Sequence, residues 1–135
     1  MCKLLMSINP EHVENILAGT KKFEFRKSKC KEQIESIVIY STAPVMKVVA
    51  EVEVKDIIED TPQMVWKRTS NAAGIDKSFF DTYYSGRDTA VAYVLGCVTQ
   101  FDSPRNLTDY GVKAAPQSYV YIRNNIANCL LTGTN

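Results

Sequence analysis

The chain has 135 residues, 45% of them hydrophobic and 23% charged, with a formal net charge of +1. That is the length and composition of one globular domain, able to bury a core without disulfides or a structural metal. Such a charge balance excludes a strongly basic protein that grips nucleic acid non-specifically, and no apolar run is long enough to cross a bilayer.

Residues 3–8 read as a first strand. Asn9 is a good N-cap, Pro10 suits the first helical position and Glu11 the first turn. Val13, Ile16 and Leu17 recur at helical spacing, and Gly19 tolerates a left-handed backbone, so a helix is predicted over 10–18. From Lys22 to Lys27 the period becomes two. Phe23 and Phe25 point to one face, Lys22, Glu24 and Arg26 to the other, so an anchored strand displays a row of alternating charge. The same alternation is the ordinary pattern of a half-buried antiparallel strand.

Residues 27–33 form a polar loop, and the Ile- and Val-rich stretch 34–41 a mostly buried strand that Thr42-Ala43-Pro44 breaks. Residues 45–58 alternate, with Val48, Ala50, Val52 and Val54 on one face. Thr61 before Pro62 opens a helix through Trp66 to Thr69 with Met64 and Val65 inward; after a loop over 71–74, Asp76 caps a second one through Tyr84. Phe79, Phe80, Tyr83 and Tyr84 on that second helix read as packing against the sheet or as a base-stacking platform. Residues 89–99 are a strand with Gly96 marking a bulge. Asp102-Ser103-Pro104 is a turn, Leu107 starts a short edge segment, 118–122 is a last strand and 123–131 a terminal helix. Several strands, few helices and no βαβ rhythm give an α+β domain around a small barrel.

The small net charge hides a segregation. Between Thr20 and Lys31 six basic residues stand against Glu24 alone, while between Glu51 and Asp60 five acids stand against Lys55. Lys22, Lys27, Lys29 and Lys31 form the candidate nucleic-acid rim, whose grip on phosphate weakens with salt. The cysteines Cys2, Cys30, Cys97 and Cys129 are scattered with no C-x-x-C pair, which argues against a disulfide scaffold and against zinc. The single histidine, His12, reads as a surface or helix-end residue. The N-terminus lacks the succession of a secretory signal, so the expected location is cytoplasmic, with no membrane, metal or cofactor involved.

Gly19-x-Lys21-x-x-Glu24-x-Arg26 after a short helix resembles the G-x-K-x-x-E-x-R signature of the ASCH domains, a branch of the PUA-like superfamily. Residues 4–10, the stretch Ile39-Tyr40-Ser41-Thr42-Ala43-Pro44 and the late Ala115-Pro116-Gln117-Ser118-Tyr119 resemble that family in the same order. The resemblance covers about residues 3–122. It implies a single domain over 1–135 built as a PUA-like small β-barrel with peripheral helices. It also implies a cleft for RNA or a nucleotide or nucleoside, floored by Lys21, Glu24 and Arg26 and helped by Tyr40, Ser41, Gln117 and Ser118.

Three functions follow from it. The first is an RNA- or nucleotide-binding module, with a regulatory role in RNA metabolism or transcription. The second is a small hydrolase with Lys21 catalytic, either a ribonuclease or one similar to the ASCH amidohydrolases that deacetylate N4-acetylcytidine. The amidohydrolase pattern uses a threonine where this chain has Glu24, and a distant glutamate, whereas residues 67–74 contain no acid. The third is a protein-interaction or regulatory domain. Nothing resembles a helix-turn-helix.

Overall fold

A computed structural model describes residues 2–123; the terminal helix expected over 123–131 and Cys129 fall outside the described residues, except Arg123, which ends a strand. The element order is β1 (Cys2–Ile8), α1 (Pro10–Ala18), β2 (Phe23–Arg26), β3 (Ile34–Ser41), β4 (Lys47–Asp60), α2 (Pro62–Thr69), α3 (Lys77–Tyr83), β5 (Ala90–Arg105) and β6 (Tyr119–Arg123). Short 3-10 turns occupy Ser70–Ala72 and Leu107–Tyr110.

All six strands join one mixed sheet in the order β2-β5-β4-β3-β1-β6. β1 runs parallel to β3 and every other pairing is antiparallel. The chain leaves β1 near one edge, passes through α1, and enters β2 at the opposite edge. The sheet curls into a half-barrel, the α+β, PUA-like architecture expected from the sequence.

Alternation along the strands separates three clusters. Leu4, Met6, Ile8, Ile37, Ile39, Val52, Val91 and Tyr93 share an inner face with Val13 and Ile16 of α1. The intervening residues face the other way. Leu5, Val38, Tyr40 and Val48 are covered by Leu107, Tyr110, Val112 and Val120, while Phe25, Ala90 and Ala92 lie against Val65, Phe80 and Tyr84 of α2 and α3. Val48 departs from the face of Ala50 and Val52 expected for it, because the register shifts between Val48 and Ala50. Both faces of the sheet therefore carry buried clusters, while residues 97–100 of β5 stay exposed.

The helix ends follow the sequence, with local differences. Gly19 takes φ +83° and its N–H closes onto Ile16. Asn9 has the extended N-cap backbone, but its side-chain oxygen accepts from the Thr42 hydroxyl at 3.2 Å instead of capping α1. Thr61 and Asp76 do cap α2 and α3, accepting from Met64 N–H and Phe79 N–H. Met64, expected inward, is 44% exposed, whereas Val65 is fully buried.

Asp102-Ser103-Pro104 is a correction. β5 does not end at 99 but runs to Arg105, because residues 101–104 bulge out between the partners Gln100–Ala50 and Arg105–Val48. A bulge frees Pro104 from the ladder it cannot join. The register also shifts opposite Gly96, as the glycine suggests. The edge segment expected at Leu107 is instead the 3-10 turn, fixed by reciprocal bonds between Asn106 and Asp109.

Candidate functional site

Curling brings the sheet's two edges together, and Arg26 spans the seam. From β2 it donates through Nη2 to the Ser7 carbonyl of β1 at 3.0 Å, and through Nη1 to Ser118 Oγ, just before β6, also at 3.0 Å. The strap before β6 is stitched to β1 as well: Ser7 N–H donates to the Ser118 carbonyl at 3.0 Å and Ser7 Oγ to the Pro116 carbonyl at 2.7 Å. Beside this seam opens a cleft of about 250 Å³, lined by Ser7, Ile8, Asn9, His12, Lys21, Glu24, Phe25, Arg26, Ile75, Phe79, Tyr83 and Gln117.

The charged row of β2 does not face solvent. Glu24 pairs with Tyr93 and Arg26 with Val91, both inner-face residues, so the row turns into the barrel mouth. Glu24 is 6% exposed. Arg26 Nη2 donates to Glu24 Oε2 at 2.9 Å, while Glu24 Oε1 and Arg26 Nε are buried with no partner among the described residues.

Lys21 lies deeper, at 3% exposure. Its Nζ donates to the Ala73 carbonyl at 3.0 Å and sits 4.8 Å from the Phe25 ring centroid. Gly74 makes that seat possible: at φ +72°, a Cβ there would lie 2.6 Å from Lys21 Cγ and 3.0 Å from its Cα. Burial lowers the Lys21 pKa from its ordinary value; Glu24 partly opposes this and Arg26 adds to it.

His12 is the cleft residue the sequence reading passed over. It projects from the first turn of α1, meets Phe79 edge-on at 5.8 Å between ring centroids, and buries an unpartnered Nδ1. Burial, then the Lys21 charge, lowers its pKa, which favours the neutral imidazole. Its position one residue before Val13 and four before Ile16, both buried, puts it at the border of the inward stripe. That spacing is the signal that could have found it.

The remaining candidates divide by location. Gln117 lines the cleft, and Ser118 takes part through Arg26. Tyr40 and Ser41 are buried at the end of β3 and are not among the lining residues. Tyr40 belongs to the cluster under the 101–122 segment, on the face opposite to Ile39, because adjacent strand residues point apart. Lys27 holds its Nζ 4.8 Å from the Tyr83 ring, at the cleft edge. Lys22 is exposed outside the cleft lining, and Lys29 and Lys31 border a separate hollow with Lys55 and Asp56. Phe80 and Tyr84 are core, whereas Phe79 is half exposed and lines the cleft with Tyr83. Among the described residues no cluster of His, Cys, Asp and Glu is arranged to hold a metal, and no helix is long and apolar enough to cross a membrane.

Residues 6–107 match the family model of the ASCH domain. The chain belongs to the ASCH family. The ASCH protein of Zymomonas mobilis, in its crystal structure, superposes with a TM-score of 0.84 at 23% identity, covering 98% of this chain and 94% of that one, a likeness of fold. In sequence, the ASCH domain is 27% identical over 92 residues to an ASCH domain-containing ribonuclease of Zymomonas mobilis, 67% of this chain and 62% of that protein. It is also 24% identical over 121 residues to a protein of Ureaplasma parvum named large ribosomal subunit protein uL22, which covers 89% of this chain. The chain spans 39% of that longer relative.

Proposed function

We propose that this ASCH domain binds RNA by taking one nucleotide or nucleoside unit into the seam cleft, with Lys21, Glu24 and Arg26 as its floor. One observation carries the reading. The buried side-chain polar atoms without a partner among the described residues are His12 Nδ1, Glu24 Oε1 and Arg26 Nε, and all three belong to residues lining this cleft. Folded proteins pair nearly all such atoms, since each one left unpaired costs about 1–3 kcal/mol. The cleft volume falls below the roughly 300–1,000 Å³ of sites for drug-sized ligands and suits a single base-sized group. Lys27 and the half-exposed Phe79 supply a rim for phosphate and for a stacked base. A cytoplasmic setting and a regulatory role in RNA metabolism or transcription accompany this reading.

A ribonuclease reading is favoured by a separate pair of observations: the named relative, and an imidazole sharing the cleft with a lysine, both of lowered pKa. The amidohydrolase reading gains no such support. Lys21 bonds to a backbone carbonyl rather than to a hydroxyl, and neither Ala73 nor Gly74, which pack on it, is an acid.

The test mixes wild type, Lys21→Ala and Arg26→Ala with labelled short single-stranded RNA, following anisotropy and chain length together. Binding that both substitutions weaken is the expected result. Shortened RNA whose formation Lys21→Ala abolishes would instead establish the ribonuclease. RNA left unbound and uncut by wild type would refute both.

A further inference from the structure

The unpaired atoms also carry a pattern, and it is not that of a phosphate site. Both terminal nitrogens of Arg26 already bond to protein: Nη1 to Ser118 Oγ, Nη2 to the Ser7 carbonyl and Glu24 Oε2. Lys21 Nζ is engaged by the Ala73 carbonyl. The floor atoms left with no bond at all are one acceptor, Glu24 Oε1, and one donor, Arg26 Nε, on two side chains already joined at their other ends. A phosphate presents acceptors only. Brought to this floor it would satisfy Nε–H but place its charge against a buried carboxylate oxygen that needs a donor.

From this pattern we infer that the group docking at Glu24 and Arg26 is the hydrogen-bonding edge of a nucleobase, entering base first with its phosphates left outside. The inference rests on the reading of the cleft as a nucleotide site and names the end of the nucleotide it takes. A base edge offers an N–H or amino donor next to a ring nitrogen or carbonyl acceptor, the complement of a carboxylate oxygen beside a guanidinium N–H. Phe25 and Phe79 among the lining residues supply apolar surface for the ring, and the phosphates then lie toward Lys27 at the edge of Tyr83. His12 stands on the same wall, where burial favours its neutral ring, so it adds little to the positive charge already supplied by Lys21 and Arg26.

The deciding titrations use the unaltered protein, so a folding defect cannot mimic their result. The four ribonucleosides are titrated by calorimetry; the tightest is compared with its counterpart methylated on the donor nitrogen, and inorganic phosphate is added as competitor. Methylation is expected to weaken binding about 10- to 100-fold, the range for losing one well-made base contact, while phosphate leaves the nucleoside bound. Equal affinity for the methylated nucleoside, or displacement by phosphate, overturns the base-first inference while leaving the cleft a nucleotide site. Failure of every nucleoside and of short RNA to bind overturns the parent reading and the inference with it. In Glu24→Gln, which removes the repelling charge, phosphate is expected to begin to compete; if it still does not, Glu24 is not what turns anions away.

Discussion

Glu24 and Arg26, two residues apart on β2, are joined by one hydrogen bond where a carboxylate and a guanidinium can make two. Arg26 Nη2 reaches Glu24 Oε2 at 2.9 Å, yet Nε and Oε1 stay buried without partners. The arginine is turned partly away from the full fork because it also ties β1 and the strap before β6. One side chain therefore closes the seam and forms the cleft floor, so its removal acts on both.

Arg26→Ala is expected to destabilise the fold by about 3–5 kcal/mol, because it strands a buried carboxylate and releases the strap. Adding Glu24→Gln to that background should recover part of the loss, since the stranded charge is gone. Urea unfolding of the two single variants and the double variant measures this; a double variant as unstable as the sum of the singles would mean that the charges are uncoupled.

Gly74→Ala and Gly19→Ala separate crowding from backbone strain. Both glycines have positive φ, but a Cβ at Gly19 meets nothing within 4 Å, whereas at Gly74 it collides with the Lys21 stem. Gly19→Ala should cost roughly 1–2 kcal/mol and leave ligand binding intact. Gly74→Ala should cost roughly 2–4 kcal/mol and weaken binding as Lys21 is pushed from its seat. Similar effects from the two would contradict the packing described.

Lys21 links stability to pH. Its folded-state pKa lies below the unfolded value of 10.5, so the folded state favours the uncharged amine. The contribution is least favourable below the folded pKa and improves as pH rises toward 10.5. Measured as the difference between wild type and Lys21→Met, which cancels the titration of the buried tyrosines, stability should climb over that alkaline window. A flat or falling difference would show that Lys21 is not held in a desolvated seat.

Phe79 and Phe80 are neighbours in sequence with opposite tasks. Phe80→Ala should cost about 3–5 kcal/mol, because the ring is 1% exposed among Phe25, Trp66 and Tyr84. Phe79→Ala removes a half-exposed ring and should barely move the unfolding midpoint, yet weaken base binding by about 1–3 kcal/mol. Thermal melts and RNA titrations on the same two samples separate these outcomes.

The rim should divide in the same way. Lys27→Ala is expected to weaken RNA binding and reduce its salt dependence, whereas Lys29→Ala and Lys31→Ala, which border another hollow, should leave nucleoside affinity unchanged. Titrations at two salt concentrations check both statements; nucleoside binding lost in Lys29→Ala or Lys31→Ala would place that loop at the cleft after all.

The sequence alone determined the local pieces, because their causes are local. Pro10 and Gly19 bound α1, alternation marks β2, β-branched runs mark β3, and Asp76 caps α3. The ordered motifs also led to the family and to the half-barrel. Which face of each strand meets what was decided by tertiary structure. Glu24 and Arg26 alternate with the phenylalanines as expected, but the curl of the sheet turns their face into the barrel mouth rather than toward water. Tyr40, polar and next to a turn, is sealed under a segment some sixty residues away in the chain, and His12 enters the cleft because α3 delivers Phe79 to its edge. Periodicity fixes relative direction within one element, whereas absolute direction and distance between elements depend on how six strands close upon one another.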